Sequence, residues 1–407
     1  MIFIKIFIII IYLLSLLFIK EKKPLDNNSL FRPKINYDNS LTSLACSIEK
    51  YFELKPLHKT MPYVDRILQQ KRPKNVVLLL IDGLGSRTME KILDKDSFLM
   101  KNKKMDIYSV FPPTTAASLT SIKTGLNPSE HGWLGWSAYV PPIQKIINLY
   151  KETEKGNNYK DQDFINFKKE YYYNKRTITE MINDEEKYLG FELSCYPYNV
   201  ERDIDIVFQR ILETLKIQSP RKYLFAYYPE PDDLLHKKSH RSGKVVEEIK
   251  KINSKIEEYS KLILENEKTV MFIVSDHGHL ISKKKSILNS KICDHLKTKK
   301  VFIENRSPAF LVKKGHENEF VEEFNKEFGD DFFLLSRKEI LENNIFGEYA
   351  FENKHKLFEK SFGDYMAFAK DSSNTALLGE SDHGVASYHG GYSDDEIFVP
   401  LIVLSNY

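Results

Sequence analysis

Three apolar runs that end on acidic residues constrain this chain more than any other feature. Residues 76–81 stop at Asp82, the stretch KYLFAYYPEPD reaches Asp232, and TVMFIV stops at Ser275-Asp276-His277-Gly278. Apolar runs of this length without polar alternation read as strands covered on both faces. That means a largely parallel α/β sheet sandwiched between helices. In such sheets the chemistry gathers beyond the carboxyl ends of the strands, which is where all three aspartates stand. Gly83 and Gly85 follow Asp82 at once, and Gly278 follows His277, so the chain can turn sharply and bring its backbone close to a ligand.

The stretch VFPPTTAASLTSIKTGLNPSEHG adds a different signal. A strand is predicted at 108–111, then a Pro-Pro stop, then a small-residue helix from about Thr115 that Gly125 and Pro128 end. A hydroxyl at a helix start faces unpaired N–H groups and the positive dipole end, a setting that suits phosphate. Taken singly, Asp82 reads more readily as a turn residue and Thr115 as a helix N-cap, since caps are far commoner than nucleophiles. The rest of the chain turns that balance. His236 follows Asp232 by four residues, so on a helix the two point the same way and can share one ion. His240 continues the spacing as a lesser candidate. Asp276 and His277 are adjacent hard ligands at a strand tip. Near the end, His389 sits in a Gly-rich loop before a buried strand at 397–404. The letters SDHG recur at 381–384, but residues 371–380 are no buried run, so Asp276 and His277 are preferred there. His389 is preferred to His383 because two glycines follow it.

Composition narrows the rest. The chain has 407 residues and a net charge of +3, with no basic stripe of the kind nucleic-acid binding needs. Its three cysteines, Cys46, Cys195 and Cys293, are far apart, so they make neither a disulfide framework nor a Cys-rich zinc site. Any metal must be held by histidines and carboxylates. Two tetrahedral zinc ions with an open position need three protein ligands each. Asp82, Asp232, His236, Asp276, His277 and His389 divide evenly into two such sets, and Thr115 remains as a nucleophile.

Residues 2–19 are long and apolar enough to anchor the chain in a bilayer. No small-residue cleavage site follows them, and Lys20, Lys22 and Lys23 outnumber Lys5, pulling the body toward the cytoplasm. A mis-assigned start codon is the other reading of this segment. Residues 1–35 are thus an anchor and tether, and 36–407 the catalytic domain. Outer helices are predicted at 40–54, 63–70, 201–216 and 240–264. Trp133 and Trp136 read either as core packing or as a wall for substrate stacking. Residues 143–200, rich in charges and carrying Tyr171-Tyr172-Tyr173, read as an insert capping the active site, the alternative being a surface excursion with no role. Residues 295–370 read as a small α/β subdomain without chemistry of its own.

The motifs DGLG, FPPTTAASLTSIKTGLNPSEHG, PEPDDLLH, SDHG and HGG together resemble the alkaline phosphatase superfamily, and most closely its type I phosphodiesterase/nucleotide pyrophosphatase branch. The resemblance covers about 74–132, 222–280 and 385–404 and extends through 295–370. It implies a binuclear zinc centre at the carboxyl edge of a mostly parallel sheet. Asp82, Asp276 and His277 would hold one zinc beside Thr115, and Asp232, His236 and His389 the other. It also implies hydrolysis of phosphate ester or pyrophosphate bonds through a threonyl-phosphate, on a small substrate such as a nucleotide. The chain departs from that branch at Ser118, where the family places an Asn that helps hold the phosphoryl oxygens. That change opens the alternatives of a phosphomonoesterase, a phosphonate hydrolase or a phosphomutase on the same centre. A non-catalytic membrane-tethered binding protein is the alternative outside enzymes. The Cys/Ser-x-Pro-x-Arg signature of sulfatases is absent.

Overall fold

The apolar run at 76–81 forms a strand, β1 (Asn75–Ile81), buried along its whole length. Val77, Leu79 and Ile81 enter one apolar cluster while Val76, Leu78 and Leu80 enter another on the opposite face. Burial on both faces is why no polar residue interrupts the run. The computed structural model describes residues 31, 35–171, 176–194, 203–265, 268–371 and 373–405. Residues 34–407 form one compact unit. The main sheet adds β2 (Lys103–Tyr108), β3 (Leu189–Ser194), β4 (Lys222–Tyr228), β5 (Thr269–Val274) and β6 (Phe398–Ser405). These six strands run in the order β2-β6-β5-β1-β4-β3. The helices Leu41–Tyr51 and Pro62–Lys71 cover one face, and Ile204–Leu215 and Gly243–Leu264 the other.

β1 pairs in parallel with β4 and β5, and β3 in parallel with β4. β6 is antiparallel to both of its neighbours, β5 and β2. The amino-terminal end of β6 therefore lies at the edge where the other five strands have their carboxyl ends. The loop before β6 joins the loops after the others. Backbone bonds stitch them together, from the Gly278 N–H to the Glu396 carbonyl and from the Ser109 N–H to the Ile397 carbonyl.

A second, seven-stranded sheet runs in the order Phe332–Ser336, Tyr365–Ala369, Ser307–Phe310, Phe302–Glu304, Ser137–Val140, Lys145–Asn148, Thr153–Glu154. It refines two sequence expectations. The 295–370 block is not closed on itself, since it shares this sheet with strands from 137–154, while it keeps an apolar cluster of its own that includes Phe310, Phe324 and Phe332. The 143–200 segment is also not one insert, because its first strands belong to the second sheet and its last to the main sheet. The helix Ile178–Asp184 buries Ile178 and Ile182 against the main sheet, and β3 forms its edge. An edge strand carries polar residues on its free side, so LGFELS did not read as part of a buried sheet. The strand predicted at 108–111 lies earlier, at Lys103–Tyr108; its alternating, half-exposed residues have no continuous apolar run. Tyr172 and Tyr173 fall outside the described residues, as do residues 2–19. Among the described residues no helix is long and apolar enough to cross a membrane.

Candidate active site

The seven residues singled out in the sequence meet at one place on the sheet edge. Asp82 follows β1, Asp276 and His277 follow β5, and Asp232 opens the helix Asp232–Lys238 after β4. His236 lies one turn along that helix, 3.5 Å from Asp232. Thr115 is the first residue of the helix Thr115–Thr124, with Thr114 rather than Thr115 as N-cap. The Thr115 hydroxyl lies 3.3 Å from His277 Nε2 and 3.5 Å from Asp82 Oδ1. His389, fixed by the loop before β6, stacks on His277 with ring centroids 3.9 Å apart.

Two glycines permit this closeness. Gly83 has φ +74, and a Cβ there would fall 2.9 Å from the Asp232 Cα; one on Gly85 would fall 2.3 Å from the Gly278 Cα. Neither backbone atom can move aside as a flexible side chain could.

The sets Asp82/Asp276/His277 and Asp232/His236/His389 each present ligand atoms within 4.8 Å of one another. Hydrogen bonding shows that these side chains suit cations. His236 Nδ1 lies 2.9 Å from the Ser387 carbonyl, His389 Nδ1 3.1 Å from that of Pro113, and His277 Nδ1 3.2 Å from that of Gly278. A carbonyl only accepts, so each Nδ1 carries a proton and Nε2 is the nitrogen left to ligate a cation. Asp276 Oδ1 accepts from the backbone N–H groups of Gly83 and His277, both at 3.0 Å. Its Oδ2 is buried without a hydrogen bond and lies 3.5 Å from His277 Nε2. Tyr227 donates to Asp82 Oδ2. Burial, and then the charges of Asp276 and Asp232, push the Asp82 carboxyl well up. Crowded carboxylates and free imidazole lone pairs are the donor set of a divalent metal centre.

Two residues at the site were not singled out in the sequence. His279 is fully buried, with Nε2 2.7 Å from Asp232 Oδ1 and Nδ1 3.2 Å from the Ser387 hydroxyl. Burial pushes its pKa down to about 3, against the pull of Asp232. A third ligand group, Asp232/His277/His279, includes it. Its spacing of two from His277 was the available clue. The other is Glu304, from the block expected to carry no chemistry. Its Oε1 accepts from the Thr114 hydroxyl at 2.6 Å and the Trp136 N–H at 2.8 Å. Burial raises its pKa, opposed by those two donors.

The remaining candidates go elsewhere. His240 sits among Lys91, Arg241 and Asp395. His383 is exposed, while its neighbour Asp382 pairs with Lys155. Ser118 is buried, its hydroxyl 2.9 Å from that of Ser109. Trp133 is buried, whereas Trp136 is partly exposed beside Glu304.

The family model "type I phosphodiesterase / nucleotide pyrophosphatase" matches residues 76–372, a span that ends before His389. No curated protein matches the chain. Among solved structures, murine ectonucleotide pyrophosphatase/phosphodiesterase 5 superposes with TM-score 0.62 at 18% identity, covering 81% of this chain and 88% of that one. Its human counterpart gives TM-score 0.62 at 15% identity, covering 81% and 87%. An inactive variant of the murine protein in complex with AMP gives TM-score 0.60 at 17% identity, covering 80% and 87%. At these identities the structures show the shared alkaline-phosphatase-like fold, and the family match carries the assignment. The chain belongs to the type I phosphodiesterase/nucleotide pyrophosphatase family of hydrolytic enzymes.

Proposed function

We propose that this protein hydrolyses phosphodiester or pyrophosphate bonds of nucleotide-type substrates, with Thr115 as nucleophile beside two divalent cations. Asp82, Asp276 and His277 would hold one ion and Asp232, His236 and His389 the other. The mixture of imidazole and carboxylate donors favours zinc. The observation that carries this reading is the gathering of three imidazoles and three carboxylates, two of them buried and Asp232 partly so, into two ligand groups, with the Thr115 hydroxyl against His277 and Asp82. When bound, the ions supply Lewis-acid polarisation of the phosphoryl group and a lowered hydroxyl pKa.

The chain's own residues do the positioning. Thr114 turns its hydroxyl to Glu304, and no side chain caps the helix start, so the first N–H groups of Thr115–Thr124 face the phosphoryl oxygens. Thr115 Oγ1 attacks phosphorus in line and the leaving alcohol or phosphate departs. Water then splits the threonyl-phosphate and regenerates the hydroxyl. A nucleotide leaving or retained group is favoured by the AMP complex of the murine relative. The segment at 2–19 is the proposed membrane tether, which alkaline extraction of a membrane fraction tests.

The experiment is a side-by-side assay of bis(p-nitrophenyl) phosphate and p-nitrophenyl phosphate, with metal analysis of the same protein. About two zinc ions per chain and faster diester turnover are expected. A protein with no zinc and no turnover of either ester would sink the reading in favour of a binding protein.

A further inference from the structure

Glu304 lies between the two loops that matter most for the phosphoryl group. Its Oε1 holds the Thr114 hydroxyl, one residue from Thr115. Its Cβ and Cγ lie 2.5 and 2.6 Å from where a Cβ on Gly390 would stand, one residue from His389. Oε1 takes both hydrogen bonds, and among the described residues Oε2 takes none. No lysine or arginine among the described residues pairs with Asp82, Asp232, Asp276 or Glu304.

Charge counting gives this placement a consequence, which rests on the reading of the site above. Two divalent ions bring four positive charges, and Asp82, Asp232 and Asp276 return three. Glu304 supplies a fourth negative charge and makes the loaded site formally neutral. A phosphodiester brings one negative charge to such a site and a phosphomonoester dianion two. In a partly desolvated cleft, a second charge beside a fixed carboxylate is disfavoured by about tenfold or more in binding. We propose that Glu304 is a specificity-determining residue that selects monoanionic phosphodiesters against dianionic phosphomonoesters, including a monoester product.

Glu304→Gln tests this cleanly. The amide oxygen still accepts from Thr114 and Trp136, so the shape stays and the charge goes. Thr114→Val is the counterpart, losing the hydroxyl contact while keeping the charge. On zinc-loaded protein, the kcat/KM ratio of bis(p-nitrophenyl) phosphate to p-nitrophenyl phosphate should fall about tenfold or more in Glu304→Gln. Inorganic phosphate at pH 8, measured by calorimetry, should bind that variant about tenfold more tightly. Thr114→Val should leave the ester ratio near wild type, whatever it does to overall turnover. Unchanged phosphate affinity and ester ratio in Glu304→Gln, or an equal change in Thr114→Val, would overturn the proposal and leave Glu304 a structural clamp. If wild type turns over neither ester, the functional reading fails, while phosphate affinity still decides the role of Glu304.

Discussion

Thr114 and Thr115 are the same residue in adjacent positions, and their hydroxyls do different things. Thr115 Oγ1 points at His277 and Asp82, whereas Thr114 Oγ1 is spent on Glu304. Thr115→Ala is expected to lower kcat by roughly 10³-fold or more with zinc content unchanged. Loss of turnover in Thr114→Ala alone would show that the register is wrong. The two candidate histidines near the carboxyl terminus are separated in the same way. His389 is buried against His277, and His383 faces solvent. His389→Ala should lose zinc and activity together, and His383→Ala neither; equal zinc loss in both would undo the assignment. His279 buttresses Asp232 from behind. His279→Leu should weaken zinc binding by about 10–100-fold, as loss of an outer-shell partner does, measured by competition with a chelating dye.

At the scale of elements, the nucleophile helix is held from below by a buried acid. The helix Leu41–Tyr51 places Glu49 against Gly125, the C-cap of Thr115–Thr124, where φ is +67. Glu49 Oε2 is buried without a hydrogen bond. Burial pushes its pKa up to about 7, against the pull of Cys46 and His58. Between the ordinary glutamate range and pH 7 the folded state therefore holds one proton more than the unfolded state. By linkage, the contribution of Glu49 is fully present below about pH 4.5 and is lost as pH rises through 7. Glu49→Gln should abolish that part of the slope and stabilise the protein at pH 8 by roughly 1–3 kcal/mol. Parallel curves of stability against pH for the two proteins would contradict this. The element carries its own consequence for function, because a looser Gly125 end lets the Thr115 end shift.

At the scale of the whole molecule, the antiparallel strand of the main sheet matters most. β6 brings the His389 loop to the edge where β1, β4 and β5 deliver their carboxylates, so candidate ligands from distant parts of the chain meet at one place. The division of 143–200 between two sheets also changes what can be removed. Replacing residues 155–185 with a Gly/Ser linker would delete the helix Ile178–Asp184 that backs β3. That variant is expected to melt several degrees lower or to aggregate through the bared edge. Replacing only 162–171, the helix Gln162–Tyr171, should leave the main sheet intact. Changed relative rates across a panel of phosphoesters, with zinc retained, would support a capping role for that helix. Unchanged rates for every ester would move specificity to the second sheet and Glu304.

The sequence by itself determined the central strands, their burial on both faces and the residues at their tips. Long apolar runs leave a pattern that needs no partner to be read, and Asp-x-x-x-His and Asp-His-Gly are local spacings. It also confined any metal donors to carboxylates and imidazoles, since the cysteines are too few and too scattered. Tertiary structure decided what depends on residues far apart in the chain. The three-residue strand Phe302–Glu304 is too short to show a period, and it pairs through Ile303 with Ser137. Nothing local to Glu304 could show that it ends beside Thr114. β3 looked like surface because an edge strand has only one neighbour. His279 could be recognised only once Asp232, 47 residues earlier, lay 2.7 Å away. Chemistry carried by a single turn or strand tip is legible in one dimension, whereas the hydrogen bonds that orient and tune it are long-range contacts that exist only in the folded chain.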